Sequence, residues 1–408
     1  MNINLQRWID RWAGIPLCAA VSMVDALMRR FRPPAAHGEA PRAIVVILLS
    51  EMGSLVLAND MFARLKQRYP DAPLHALLFR KNREILDLMR VMEPANVHTV
   101  DDRSLSSLLA SLGKAIGELR RAKVDVAIDC ELFSRISSLL SYASGAAVRV
   151  GFHRHTQEGL YRGSHINRPV PYNPYHHISA QFLTLARAID STAVPKSKLP
   201  LLANPKPPPF VQLDDALIQA IRGRLAQDFP FIAGKALVLV YPGGGILPIR
   251  AWPLASYTAL CQGLIADGCA VAVIGLKDDQ ALARQLVANV QAAFPDSPVI
   301  DLTGYTRSIS ELLALFHVAR LLVTNDGGPG QFAALTPIWT LMLFGPETPG
   351  LYAPLTPRCY SFYSKWPCSP CLTAYNHRSS YCDGDNQCLK VIAPESVLAK
   401  AREFLASA

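Results

Sequence analysis

Short apolar runs that alternate with helical patterns constrain the fold of this chain more than any other feature. The first run, Ala43–Leu49 (AIVVILL), is continuous and rich in β-branched residues, which is typical of a strand buried on both faces of a parallel sheet. Five similar runs follow: Leu74–Phe79, Val124–Ile128, Ala236–Val240, Cys269–Gly275 and Arg320–Thr324. Helical patterns separate them, among them Leu55–Tyr69, so the sequence predicts βαβ units and parallel sheets.

A proline-rich segment divides these units into two groups. Lys196–Phe210 holds five prolines in fifteen residues and therefore predicts an extended linker. We expect an N-terminal helix and linker at 1–40, a first α/β domain at 41–195, the proline-rich linker at 196–212 and a second α/β domain at 213–408. The second domain includes a cysteine-rich loop at 359–390 and a C-terminal helix. Ligands bind at the carboxyl ends of strands in open α/β sheets, so we expect both domains to direct loops into an interdomain cleft.

Composition and charge narrow the class of protein. Half of the 408 residues are hydrophobic and 18% are charged, which excludes a disordered chain. Basic residues outnumber acidic ones by 41 to 32, and the net charge of +9 favours an anionic partner such as a phosphate, a nucleotide or an acidic membrane. No recognisable nucleic-acid-binding module accompanies that charge, so we do not predict a nucleic-acid partner.

The N-terminal segment 5–31 mixes large apolar residues with arginines and carries Trp8 and Trp12 near one end. Such a pattern is typical of a helix that lies in a membrane interface. A helix that docks on its own protein remains the alternative. A secretory signal peptide is disfavoured, because Asp10 and Asp25 interrupt the apolar stretch and arginines follow it.

Glycine-rich turns follow two strands of the second half. One lies in Thr324–Leu335 (TNDGGPGQFAAL) and the other in Tyr241–Pro253 (YPGGGILPIRAWP), where Arg250 could meet phosphate oxygens. Glycines let backbone amides approach a diphosphate closely, although a plain strand-to-helix turn would use the same residues. Neither turn matches GxGxxG or GxxxxGK[ST], which argues against nicotinamide-dependent dehydrogenases and P-loop NTPases.

Through these turns and their surroundings the chain resembles the ADP-heptose:lipopolysaccharide heptosyltransferase family, family 9 of the glycosyltransferases. The matching segments are Pro242–Leu254, Asp301–Leu315, Leu321–Leu335 and Leu343–Pro349, with thinner matches at the first strand, at Ser50–Ser54 and at Leu65–Ala72. The resemblance implies a GT-B fold, with two Rossmann-like domains. It also implies inverting transfer of heptose or a related sugar from a nucleotide-diphosphate donor to lipopolysaccharide or another lipid-linked surface glycan. In that scheme catalysis needs no metal, and the enzyme is cytoplasmic, held peripherally on the inner face of the bacterial inner membrane.

The resemblance also assigns donor-binding residues. Arg250 stands where the family usually has lysine before Trp-Pro, and it would stabilise the departing nucleotide. The remaining donor-binding residues that we carry over are Gly243, Gly244, Asp278, Thr303, Asn325, Asp326, Gly327, Gly328, Pro329 and Gly330.

One departure concerns the catalytic base. The family's first loop commonly reads S-x-x-G-D, and its aspartate deprotonates the acceptor hydroxyl, whereas here Ser54 follows Gly53. A serine hydroxyl is a poor base near neutral pH. We predict that Glu51 takes this role, with Asp60 as the rival. The alternative is a catalytically silent paralogue that binds nucleotide-sugar or glycan and acts in glycan assembly.

Two further clusters carry predictions of their own. The basic stretch Arg149–Arg168 lies in the half where the resemblance places the acceptor, and we assign Gly53, Arg149, Arg154 and Arg162 to acceptor binding, with a solvated basic loop as the alternative. Near the C-terminus, a CxxC pair and two further cysteines could hold a structural zinc ion, the alternative being reduced thiols. Those four residues are Cys368, Cys371, Cys382 and Cys388.

Overall fold

The computed structural model describes residues 3–31, 40–49, 51–153, 160–198, 200, 204–375 and 379–407. The chain forms two compact units, Met1–Lys206 and Pro207–Ala408. The boundary between them falls within the proline-rich segment. Each unit contains one six-stranded sheet in which neighbouring strands run parallel.

The sheet of the first unit has the strand order β3-β2-β1-β4-β5-β6. Its strands are β1 (Ile44–Ile47), β2 (Leu74–Phe79), β3 (Val97–Val100), β4 (Val126–Asp129), β5 (Val148–Phe152) and β6 (Arg168–Val170). The central strand β1 pairs with β2 and β4, placing Ile44 beside both Leu74 and Val126. This is the order of doubly wound nucleotide-binding sheets, in which the chain reverses direction beside the first strand.

Eight α-helices belong to the described part of the first unit. They are α1 (Ile3–Trp12), α2 (Gly14–Arg29), α3 (Met52–Leu57), α4 (Asn59–Arg68), α5 (Arg83–Met89), α6 (Leu105–Arg121), α7 (Arg135–Ala143) and α8 (Ile178–Arg187). One hydrophobic core lies where α6 and α7 cover the sheet, with Leu119 and Leu140 packed against Val45 and Ile47. Every residue of β1 is buried, as the uninterrupted apolar run predicted.

The second unit repeats the architecture with the strand order β12-β11-β10-β7-β8-β9. Its strands are β7 (Leu237–Tyr241), β8 (Ala270–Gly275), β9 (Val299–Thr303), β10 (Leu321–Asn325), β11 (Trp339–Phe344) and β12 (Cys359–Tyr363). The central pair is β7 and β10, so the change of winding direction again falls between neighbouring strands. The prediction of two Rossmann-like parallel sheets is confirmed.

The helices of the second unit cover both faces of this sheet. They are α9 (Asp215–Asp228), α10 (Leu254–Ala266), α11 (Gln280–Ala293), α12 (Ile309–Val318), α13 (Gly328–Ala333), α14 (Pro349–Tyr352), α15 (Gln387–Lys390) and α16 (Pro394–Ala406). Trp252 and Tyr257, the latter in α10, lie in one core cluster, and Val397 and Phe404 bring α16 onto the same cluster. This packing holds the loops at the carboxyl ends of β7 and β10 on a rigid base.

The N-terminal segment forms two helices, α1 and α2, rather than the single helix that its pattern predicted; a turn at Ala13 separates them. Helix α2 contacts the first unit along one narrow line formed by Gly14, Cys18, Ser22 and Asp25, which are buried. Among the described residues, no helix is both long and apolar enough to cross a bilayer.

Candidate active site

Three charged side chains meet at the carboxyl end of the second sheet. Arg250 follows β7 in a short 3-10 turn, Asp326 follows β10, and Glu347 follows β11. The Arg250 Nη2 atom donates to Glu347 Oε1 at 3.0 Å, and Arg250 Nε lies 3.5 Å from Asp326 Oδ2. These three strands are adjacent in the sheet, so the topology brings together residues almost a hundred positions apart.

These contacts hold the Arg250 side chain and leave part of it exposed. Its side chain is 15% exposed, while those of Asp326 and Glu347 are 8% and 1% exposed. Within the described residues, Arg250 Nε is buried and makes no hydrogen bond. A guanidinium presents five N–H donors, more than these two contacts use.

Asn325 was predicted to contact the donor, but the structure gives it another role. Its side chain is fully buried, and Nδ2 donates to the carbonyl oxygens of Pro242 and Gly243 at 3.1 and 2.9 Å. Its Oδ1 accepts from the backbone N–H of Trp252 at 2.9 Å. Asn325 therefore ties the end of β10 to the glycine turn after β7 and positions that turn, and we correct its assignment from binding to positioning.

The glycines of the two turns differ in what surrounds them. A Cβ added at Gly244 would lie 2.7 Å from the carbonyl oxygen of Leu247, and one at Gly243 would meet Asp279 Oδ1 at 2.9 Å. Backbone packing therefore requires glycine at Gly244, whereas the atoms near Gly243 belong to side chains that can shift. At Gly327 the nearest such atom would be 3.9 Å away, and at Gly328 it would be 3.4 Å away, which are ordinary van der Waals distances. Protein packing therefore does not by itself require glycine at these two positions.

The helix beyond this turn is short. Helix α13 spans only Gly328–Ala333, with Pro329 in its first turn, and a Cβ at Gly330 would meet the Met342 sulfur at 2.8 Å. Six residues give a small macrodipole. The macrodipole of α13 is therefore a weak source of positive charge at this turn.

The remaining predicted donor residues lie at the ends of β8 and β9. Asp278 is exposed just beyond β8, and Thr303 at the end of β9 donates from Oγ1 to Asp301 at 2.6 Å. Two large apolar side chains accompany them, Ile246 after β7 and Leu276 after β8, which are 68% and 74% exposed. The sequence analysis did not single out these two residues, although exposed apolar side chains beside a polar site suit an aromatic ring.

The first sheet carries a second group of polar residues at its own switch point. Glu51 precedes α3, just beyond β1, and the Ser54 hydroxyl donates to Glu51 Oε2 at 2.8 Å. Gly53 lies between them in the first turn of α3. Glu131, which follows β4, accepts a hydrogen bond from the backbone N–H of Leu49 at 2.6 Å. The serine that replaces the expected aspartate is thus a direct partner of the glutamate predicted to act as base.

Asp60, the rival base, is already engaged. The predicted helix Leu55–Tyr69 is broken at Ala58, which places Asp60 in the first turn of α4, where it is 5% exposed. Its carboxylate pairs with Arg64 at 2.9 Å and accepts from the backbone N–H of Lys206 at 3.0 Å. These contacts make Asp60 a structural residue and favour Glu51.

Two of the three predicted acceptor-binding arginines are internal, and we correct their assignment. Arg162 is fully buried, pairs with the buried Asp129, and donates to carbonyl oxygens that include that of Phe152 at 2.8 Å. Arg149 is 5% exposed and donates to His165 O at 2.6 Å and to Asp25 Oδ1 at 2.8 Å. Both guanidiniums neutralise buried carboxylates instead of facing a ligand. Arg154, the third, lies outside the described residues.

The four C-terminal cysteines are near one another. No disulfide joins any of the nine cysteines, all of which are in the described part of the chain. Burial, followed by the neighbouring thiols of Cys371, Cys368 and Cys382, raises the pKa of Cys388 to about 11. Within the described ranges, however, no group of three or more histidine, cysteine, aspartate or glutamate side chains is arranged to hold a metal ion. The structural zinc therefore stays a prediction.

Comparisons with known proteins agree on one family. The model of "Glycosyltransferase family 9 (heptosyltransferase)" matches residues 112–381, more than half of the chain. Lipooligosaccharide heptosyltransferase 2 of Haemophilus ducreyi is 25% identical over 77% of this chain and 86% of its own length.

Solved structures agree on the fold. The chain resembles E. coli ADP-heptose lps heptosyltransferase II with a TM-score of 0.67 and 20% identity, over 90% of this chain and 99% of that one. It also resembles E. coli heptosyltransferase WaaC with ADP-2-deoxy-2-fluoro heptose, with a TM-score of 0.59 and 15% identity, over 88% and 99%. At these identities the likeness concerns the fold, two Rossmann-like units of the GT-B type.

Proposed function

The chain belongs to glycosyltransferase family 9, and we propose that it transfers heptose or a related sugar from an ADP-heptose-like donor to a lipopolysaccharide-type acceptor. The observation that carries the proposal is Arg250, placed at the carboxyl ends of β7, β10 and β11, where Asp326 and Glu347 hold a side chain that is 15% exposed. Ligands of doubly wound sheets bind at this edge and at this switch point.

Arg250 supports the proposal because the leaving group is a nucleoside diphosphate. Negative charge develops on that diphosphate as the glycosidic bond breaks, and a fixed cation beside it lowers the barrier. The backbone N–H groups of Gly327 and Gly328, where protein packing does not itself require glycine, would donate to the diphosphate oxygens. Ile246 and Leu276 give the nucleoside an apolar surface on the two neighbouring strands.

We assign the acceptor step to Glu51. The carboxylate would take the proton of the acceptor hydroxyl while that oxygen attacks the anomeric carbon, and the diphosphate would leave from the opposite side in a single displacement that inverts the configuration. Ser54 would position the carboxylate, since its hydroxyl donates to Glu51 Oε2 at 2.8 Å. Cations and amides carry the charge in this scheme.

We further propose that the enzyme works on a lipid-linked glycan at the cytoplasmic face of the bacterial inner membrane. Named relatives act on lipooligosaccharide or lipopolysaccharide, which are lipid-linked glycans. A net charge of +9 favours residence at an anionic surface.

A transfer assay with the full chain tests the proposal. We expect ADP-heptose to be consumed in the presence of a heptose-accepting lipopolysaccharide core, with one ADP released for each sugar added. Donor binding without turnover would instead favour the silent paralogue, for which the serine at position 54 is the supporting observation. ADP-heptose turnover that does not depend on the acceptor would contradict transfer.

A further inference from the structure

The two N-terminal helices expose an unusual share of the protein's large apolar side chains. Of the 25 large hydrophobic residues that are exposed in the described part of the chain, ten lie between residues 8 and 31. They are Trp8, Ile9, Trp12, Ile15, Leu17, Met23, Val24, Leu27, Met28 and Phe31. We call this set the N-terminal apolar face. Exposed apolar surface concentrated in one segment marks an interaction site.

The helices dock on their own protein with the opposite, small and polar face. A Cβ added at Gly14 would lie 2.8 Å from the Cβ of Arg135, so α2 packs directly on α7 at this point. Ser22 Oγ lies 3.2 Å from Nδ1 of the buried His165. A helix that packs on a water-soluble domain normally buries its apolar stripe, and here that stripe is turned away from the domain.

Buried ionic contacts fix this reversed orientation. Asp10 Oδ1 accepts from the backbone N–H groups of Arg135 and Ile136 at 2.8 and 2.9 Å, at the start of α7. Asp25 Oδ1 accepts from the buried Arg149 Nη2 at 2.8 Å. The two acidic residues that interrupt the apolar stretch in the sequence are thus the ones that anchor it. Rotating the helices to bury the apolar face would leave the buried Arg149 without Asp25 and the first N–H groups of α7 without Asp10, and an unpaired buried charge is costly.

Arginines border the apolar face. Arg11 lies in the last turn of α1 with its guanidinium 5.6 Å from the centre of the Trp12 ring, and Arg30 follows α2, whereas Arg29 at the end of α2 pairs with Asp25 and donates to the carbonyl oxygen of Ser164 at 3.3 Å. All three are exposed. Tryptophans and arginines around an apolar surface match the boundary between headgroups and acyl chains of an anionic bilayer.

We propose that the N-terminal apolar face inserts into the interfacial region of an anionic membrane, with α1 and α2 lying in the membrane plane. The proposal rests on the proposed function only for the choice of membrane. A second copy of the chain fits the surface less well, because pairing two such faces would bring together two sets of arginines on chains that each carry +9.

Co-sedimentation of the full chain with vesicles tests the proposal. We expect binding to phosphatidylcholine vesicles that contain phosphatidylglycerol, and much weaker binding to phosphatidylcholine alone or at high salt. Replacing Leu17 and Leu27 together with serine removes two exposed leucines from the face and should weaken binding about tenfold.

Leu105→Ser with Leu109→Ser is the matched control. These leucines are 59% and 61% exposed on α6, close to the 52% and 57% of Leu17 and Leu27, and should leave binding unchanged. Unfolding temperatures of both variants check that folding is intact. The proposal would be overturned if both variants bound vesicles as well as the unmodified chain does. It would also be overturned if the unmodified chain formed a dimer that only the Leu17/Leu27 substitutions disrupted. Both variants are expected to keep transfer to a water-soluble acceptor. A vesicle result that overturns membrane binding would therefore not contradict the proposed function.

Discussion

In the proposed scheme donor binding depends most on Arg250. Two nearly buried carboxylates, those of Asp326 and Glu347, hold its guanidinium in place. An incoming diphosphate would meet a cation whose orientation is already fixed, which reduces the entropy lost on binding. Glu347 is the residue that sequence reasoning missed here, although its segment, Leu343–Pro349, had been recognised.

The arginines of the first unit show a limit of sequence reasoning at this scale. From the sequence alone, the basic stretch at Arg149–Arg168 indicates an anion-binding site, because the carboxylates that pair with its arginines cannot be identified there. The partners of Arg149 and Arg162 are Asp25, 124 positions away, and Asp129, 33 positions away. An ion pair between residues so far apart in the sequence leaves no local pattern. The sequence therefore could not distinguish a ligand-binding site from an internal ion pair.

Glu51 carries the clearest prediction at the residue scale. Glu51→Gln should lower the rate constant of transfer about 10²- to 10⁴-fold, because the acceptor hydroxyl loses its base, while ADP affinity stays unchanged. Steady-state kinetics and calorimetry measure the two quantities separately.

Asp60→Asn is the comparison for that prediction. The substitution removes a carboxylate that binds Arg64 and the backbone of Lys206, so we expect a lower unfolding temperature and little change in the rate constant. Full turnover by Glu51→Gln, or a larger loss of rate in Asp60→Asn, would contradict the assignment.

At the scale of elements, the strands were the most predictable part of the fold. Runs such as Ala43–Leu49 and Leu74–Phe79 became β1 and β2 with little change of boundary, because burial on both faces demands continuous apolar sequence. Helix breaks were harder to predict. Gly14 and Pro16 follow the turn at Ala13, whereas the turn at Ala58 has no proline or glycine beside it, so contacts with the rest of the unit account for that second break.

The cysteine loop carries the prediction at this scale. If the four thiols hold a structural ion, protein purified without chelators should contain about one zinc per chain. Cys368→Ser with Cys371→Ser should lose that metal and lower the unfolding temperature, since a tetrahedral site needs all four ligands. Metal analysis and thermal unfolding measure both effects.

Cys261→Ser is the matched control for the loop. Cys261 is a buried cysteine of α10 in the hydrophobic core of the second unit, outside the cysteine-rich loop, so its replacement should keep the metal. Unmodified protein that contains no metal and whose loop cysteines react as reduced thiols would contradict the zinc prediction.

For the whole molecule, the two units share one architecture and differ in what lies at their switch points. The first presents Glu51, Ser54 and Glu131 at the carboxyl ends of β1 and β4, which suits a proton acceptor. The second presents Arg250 and a glycine-rich turn, which suits a polyanion. The repeated strand order is visible in the sequence as two series of apolar runs, whereas the division of chemistry between them comes from a few loop residues.

The measurement that tests the central claim most directly is calorimetric binding of ADP and of adenosine to the unmodified chain, to Arg250→Ala and to Arg402→Ala. Arg402 pairs with Asp267, before the amino end of β8, and provides an ion-paired arginine away from the site. If Arg250 holds the donor diphosphate, Arg250→Ala should weaken ADP binding about 10- to 100-fold and leave adenosine binding unchanged, while Arg402→Ala should bind both as before. Equal affinity for ADP in the unmodified chain and Arg250→Ala would contradict the claim.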